Sequence, residues 1–261
     1  LGLLKKNNVS ANAVIWFLYF PVGLFIYLKF NELFGFFIKG ANPYISIILI
    51  TLAFICMFAG NLGAVGTLSV RRIMSFLFLY FVGTFLLNIS MFSTGIISML
   101  SMKWLNIACI FLLMFSFIPI YSVFSRIEKN TGTDSINGIR GLGRSNVYIS
   151  INLSIVLLSW SVAALYILPF RGYITGGLEF SGMGTINMIL VAVIAVTFIF
   201  LMINILRIIS SFFRKPIAGA TEKIRFPGFY YIYITFFTLI IVIIAVRCLM
   251  EISGINTGIM D

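Results

Sequence analysis

The sequence predicts an all-α protein, a polytopic bundle of about seven transmembrane helices forming a single domain over residues 1–261. Three observations carry that prediction. Of the 261 residues, 61% are hydrophobic and only 10% charged, with a mean hydropathy of +1.12, whereas a soluble domain carries about a quarter charged residues. The stretch Ala53–Thr84, AFICMFAGNLGAVGTLSVRRIMSFLFLYFVGT, holds two apolar helices joined by almost nothing. Runs of about 18 or more apolar residues read as bilayer spans, and two spans meeting at Arg71-Arg72 leave no room for a soluble domain. The third observation is that the basic residues fall in short loops, with a bias towards one face.

Seven spans follow in order. The first, about 11–30, is interrupted by Pro21 and Gly23, which release backbone groups and bend a membrane helix. Others are expected near 43–68, 73–90, 104–124, 147–170, 186–213 and 227–250. The segment Phe170–Phe180 (FRGYITGGLEF) is too polar and glycine-rich to extend the fifth span smoothly, and Pro169 just before it marks a second helix break. The longest loop, Ser125–Asn146, reads as a polar surface connection and hides no soluble module. If the spans alternate sides, Lys5, Lys6, Arg71, Arg72, Arg126, Lys129, Arg140, Arg144, Arg207, Arg214, Lys215, Lys223 and Arg225 share one face, against Lys29, Lys39, Lys103, Arg171 and Arg247 on the other. That asymmetry places the N-terminus in the matrix or cytoplasm and the C-terminus opposite.

Several function classes drop out. The net charge of +11 lies in loops flanking spans, where it sets topology and meets lipid headgroups, so nucleic acid is not the expected partner. The sequence has no histidine, which removes haem-b ligation and imidazole proton relays. Cys56, Cys109 and Cys248 sit in apolar spans without metal spacing and read as small buried hydrophobes. No phosphate loop, nucleophile elbow or zinc motif is present. The residues before Lys5-Lys6 are too few for a cleavable signal, so the numbering either starts within a longer protein or omits the true N-terminus. The 28 phenylalanines point to an AT-rich, organellar genome.

In a span, the useful signal is a polar or charged residue at depth. Asn61 lies within Gly60-Asn61-Leu62-Gly63-Ala64, and Gly60, Gly63 and Gly66 recur every three residues. Small residues at that spacing let a neighbouring helix approach, with Asn61 as interhelical glue; an ion site is the other reading. Arg71-Arg72 is either a topology signal or a fixed charge facing a hydrated cavity, where it would bias proton movement without exchanging protons. Arg171, after the Pro169 break, either coordinates water or extends its head to the interface, and Glu179 can pair with it. Arg207 and Arg247 lie just inside span ends and are expected to snorkel outward. No carboxylate falls mid-membrane.

The stretch 53–83 resembles the antiporter-like subunits of respiratory complex I, most closely chain 2, called chain N in bacteria. Those proteins show an apolar helix ending Gly-Asn-Leu-x-Ala, a spacer of six, a Lys-Arg pair opening the next helix, and a Gly eleven residues on. Here stand Gly60-Asn61-Leu62-Gly63-Ala64, Arg71-Arg72 and Gly83, without a gap; Arg71 replaces the family's Lys, and Phe76-Leu77-Phe78 its Tyr-Ser-Ser. Weaker likenesses are Arg140-Gly141-Leu142, Leu158-Ser159 and the break at Pro169, where Arg171 falls within about one residue of a characteristic Lys, and Val9-Ser10 before the Pro21-interrupted span, where Leu18 takes the place of another.

The resemblance implies the second half of such a subunit, with the first half on a separate chain or lost. It implies a non-redox, membrane-arm subunit of H+-translocating NADH:ubiquinone reductase, in the mitochondrial inner membrane or a bacterial plasma membrane, partnered by other complex I membrane subunits and lipids. FMN, iron–sulfur clusters and quinone are expected on other subunits and no cofactor on this chain. Two alternatives stand beside it: an antiporter-like subunit of a cation/proton antiporter or membrane-bound hydrogenase, and a structural subunit that keeps the fold without conducting protons.

Overall fold

A computed structural model describes residues 43–93, 99–167, 185–215 and 226–252. The described chain is helical and contains no strand, in line with the predicted all-α class. Its helices are α1 (Pro43–Val65), α2 (Val70–Ser93), α3 (Met99–Thr131), the short α4 (Leu142–Ser145), α5 (Val147–Ile167), α6 (Thr185–Phe213) and α7 (Gly228–Ile252). Six of them are long and apolar enough to cross a bilayer, over Ile47–Val65, Val70–Leu87, Phe111–Thr131, Val147–Leu165, Val191–Phe213 and Gly228–Met250. These six correspond to the last six spans expected from the sequence. The first expected span with Pro21, and the segment holding Pro169, Arg171 and Glu179, lie outside the described residues.

α1 and α2 form a hairpin whose axes come close because glycine faces backbone from both sides. A Cβ on Gly60 would lie 2.6 Å from the Phe76 carbonyl oxygen and from the Tyr80 nitrogen, and one on Gly83 would lie 2.7 Å from the Ala53 carbonyl oxygen. Gly63 meets only the Phe76 ring, a side chain, while Gly66 in the turn faces no neighbouring helix closely. In lipid, helix association rests on this kind of close packing, because the tails outside are as apolar as the interface.

The second packing unit joins α3, α5 and α7, with α5 also reaching α2 and α6. Its anchor is Trp160 on α5, which is fully buried. The indole packs against Phe117 at 4.9 Å and edge-on to Phe81 at 5.9 Å. Its Nε1–H donates to the Ser116 hydroxyl at 2.5 Å, and that hydroxyl donates on to the Leu113 carbonyl at 2.7 Å. A buried indole N–H without a partner is costly, and Ser116 supplies one. Trp160→Phe keeps a ring but strips this bond and leaves unfilled volume; a loss of about 2 kcal/mol is expected, read as a lower thermal midpoint in detergent.

One boundary and one loop differ from the sequence expectation. α3 runs on to Thr131, a turn and more beyond the expected end near residue 124, and stops where Gly132 adopts φ +68° and donates its N–H to the Glu128 carbonyl at 2.8 Å. That left-handed cap is the common way for glycine to end a helix. The following loop is not a mere surface connection: Ile136, Ile139 and Leu142 are buried, and the loop pairs with the α1–α2 turn through Ile136 N–H to the Leu68 carbonyl (2.8 Å) and Val70 N–H to the Asp134 carbonyl (2.7 Å). Its few apolar residues tuck under the bundle, and its polar ones satisfy the start of α2. The α1–α2 turn, the end of α3 and the end of α6 therefore share one end of the molecule, which carries Arg71, Arg72, Lys129 and Arg214.

Candidate functional site

The site is a polar seam between α1 and α6, continued across the open end of the α1–α2 hairpin. Along α6, Thr197, Asn204 and Ser211 recur every seven residues and so share a face, with Arg207 one turn beyond Asn204. Asn61 on α1 donates through Nδ2 to the Thr197 carbonyl at 2.8 Å. Asn204 donates back through Nδ2 to the Asn61 carbonyl at 3.2 Å and to its own Phe200 carbonyl at 3.1 Å. Asn61, Thr197 and Asn204 are at most 1% exposed, so these bonds form where water does not compete.

Arg207 closes the seam. Its Nη1 donates to the carbonyls of Val65 (2.8 Å) and Ala64 (3.3 Å), and its Nη2 to the Thr67 carbonyl. The last carbonyls of a helix lack partners within it and carry partial negative charge. A planar guanidinium serves several of them at once, which an ammonium does not. The expectation that Arg207 snorkels outward is thus corrected: the end of α1 lies within its reach and offers unpaired oxygens.

The start of α2 is built by opposite means. Ser69 sits at the N-cap, its hydroxyl accepting from the Arg72 N–H at 3.4 Å and donating to the Asp134 carboxylate at 2.5 Å. Arg71 forms an ion pair with Glu128, the two side chains 26% and 28% exposed, while Arg72 is exposed. Two cations in the first turn oppose the helix dipole; Glu128 from α3 and Asp134 from the loop offset them there. A shallow cleft lined by Arg71, Tyr121, Glu128 and Asp134 opens between them. Because the Arg71–Glu128 pair is partly solvated, Glu128→Gln is expected to change stability by less than about 1 kcal/mol, a difference that vanishes in about 1 M salt. Unfolding with and without salt checks it.

The structure thus gathers Asn61 and, in the hairpin beside it, Gly60, Gly63 and Gly83; it sets Gly66 in the turn and Arg71 against Glu128. Thr197, Asn204, Arg207, Glu128 and Asp134 complete the arrangement; the sequence singles out neither Thr197 nor Asn204, points Arg207 outward and places Glu128 and Asp134 in a loop. A signal for the first three existed, since Thr197, Asn204, Arg207 and Ser211 are polar residues on one side of an otherwise apolar helix. Chemically, the seam offers neutral hydrogen-bonding groups with a fixed positive charge at its mouth. It can orient water and hold helices in register; it has no carboxylate among the described residues that line it.

No protein-family model matches the chain, and no curated protein matches its sequence. Among solved structures, a chain of the respiratory complex I of Thermus thermophilus, determined with bound aureothin, superposes with a TM-score of 0.54 at 14% identity, covering 78% of this chain and 44% of that one. The two share a fold. The present chain spans less than half the length of the complex I chain it matches.

Proposed function

We propose that this chain is a membrane-arm subunit of a respiratory complex I, similar to the C-terminal half of chain 2, and that it takes part in proton translocation driven by quinone reduction elsewhere in the assembly. The observation that carries the reading is the coincidence of two independent likenesses. The backbone superposes on part of a complex I chain, and the motif Gly60-Asn61-Leu62-Gly63-Ala64, Arg71-Arg72, Gly83 occupies the hairpin in which Gly60 and Gly83 set the helix approach. The partners that this reading implies are other membrane subunits of such a complex. Large apolar side chains left exposed on α1, α6 and α7, such as Ile55, Ile203 and Phe236, suit a bilayer or such a partner. FMN, iron–sulfur clusters and quinone would reside on other subunits, and the basic end would face the matrix or cytoplasm.

A second reading, a scaffold that keeps the fold without conducting protons, draws on one feature: the polar groups in the described seam are neutral apart from Arg207, which does not exchange protons. The test is to isolate the chain from native membranes and identify its companions, then to replace Arg171 with Met in the assembled complex. Co-migration with NADH-oxidising subunits is expected, with a reduced number of protons moved per electron in the variant. Companions typical of an antiporter or hydrogenase would overturn the assignment; unchanged pumping and assembly would favour the scaffold.

A further inference from the structure

Two buried polar atoms beside the seam lack partners. The Asn61 amide uses its Nδ2 on the Thr197 carbonyl, but its Oδ1 accepts nothing. Tyr80 on α2 is fully buried, and its hydroxyl lies within reach of the Thr197 side chain without meeting a partner at good hydrogen-bond geometry. One orphan is an acceptor only and the other can donate. Both flank the same residue, because Gly60 draws the Tyr80 backbone against α1 next to Asn61. The Thr197 hydroxyl donates to the Ile194 carbonyl at 2.8 Å, which leaves its oxygen free to accept.

The geometry points to a binding site for one water molecule enclosed by Asn61, Tyr80 and Thr197. The water accepts from the Tyr80 hydroxyl and donates to Asn61 Oδ1 and to Thr197 Oγ1. Three partners are what a buried water typically makes, and the donor and acceptor inventory closes without leaving any of these groups unpaired. A monovalent cation fits less well: the three oxygens are uncharged, no carboxylate among the described residues joins them, and Arg207 stands at the mouth of the same seam. The site ties α1, α2 and α6 together at one point. It stands on these residues alone and does not depend on the assembly proposed above.

The experiment is infrared spectroscopy of the full chain in its native membrane assembly, exchanged into H2(18)O, with Tyr80→Phe as the variant. The wild type is expected to show an isotope-shifted O–H stretch from a dry, fully enclosed water, and Tyr80→Phe is expected to lose that band while still assembling. A high-resolution map of the wild-type assembly should show an isolated density peak within hydrogen-bond distance of all three oxygens. A map with Tyr80 bonded directly to Asn61 or to Thr197, a band unchanged in Tyr80→Phe, or a thermal midpoint that rises with sodium or potassium would each overturn the proposal. If Tyr80→Phe fails to assemble, the wild-type map alone decides: a peak supports the site and its absence refutes it.

Discussion

Gly60→Leu is expected to abolish the folded chain. Even a single Cβ at this position would meet the Phe76 carbonyl oxygen and the Tyr80 nitrogen at 2.6 Å, and backbone atoms of a helix do not rotate aside as a side chain does. Overpacking a core by a methylene or two costs about 1–3 kcal/mol. A leucine against two helix backbones exceeds that range and forces α1 and α2 apart. Separation also breaks the Asn61 and Arg207 bonds, which need α1 in place. Gly63→Ala is the graded comparison, since its obstacle is the Phe76 ring, which can shift; a loss of about 1–2 kcal/mol is expected. Gly66→Ala meets no neighbouring helix closely and should be near neutral. The yield of monodisperse protein in detergent and its thermal midpoint rank the three, and equal sensitivity at Gly60 and Gly66 would contradict the close-approach argument.

The second large effect is at Arg207. Arg207→Met keeps the length and apolar stem of the side chain but removes every donor, leaving the carbonyls of Ala64, Val65 and Thr67 without the guanidinium. Hydrogen bonds from a charged donor contribute about 1.5–3 kcal/mol each. They are not additive, and Arg207 is partly exposed, so a total of about 3 kcal/mol is expected. Arg207→Lys should recover only a fraction, because one ammonium cannot span three carbonyls. The readout is global stability together with faster hydrogen exchange at the α1–α2 turn. A snorkelling arginine would give a neutral Met variant and equal Arg and Lys, so the substitutions separate the two roles.

These two positions mark what the sequence does and does not make legible. Only part of the α1–α2 approach was readable: of the glycines recurring every three positions, Gly60 meets the backbone of α2, Gly63 meets only the Phe76 ring, and Gly66 lies in the turn away from any neighbouring helix. Arg207 was misread for a physical reason. A basic residue near a span end has two outlets, solvent and an uncapped helix, and which is nearer depends on a helix more than 140 residues away in sequence. Glu128 was assigned to a loop because α3 was expected to stop where its apolar run stops. The helix persists for more than another turn, to Gly132, the first glycine it meets and the one that takes the left-handed cap. The loop after it was read as surface because most of its residues are polar, and three buried apolar side chains within it were outweighed.

From the sequence alone came the all-α class, the last six spans to within a few residues except where α3 runs on to Thr131, and the close approach of the hairpin at Gly60. The bilayer explains this legibility: every span must satisfy its own backbone and be apolar over about 20 residues, and that requirement is local. Tertiary structure alone decided the rest, namely the pairing of Asn61 with Thr197 and Asn204, the inward turn of Arg207, and the Glu128 and Asp134 counter-charges at α2. Each of those is a meeting of polar groups from helices distant in the chain, and a side chain's composition states what it can bond to, while only packing states what stands within about 3 Å of it.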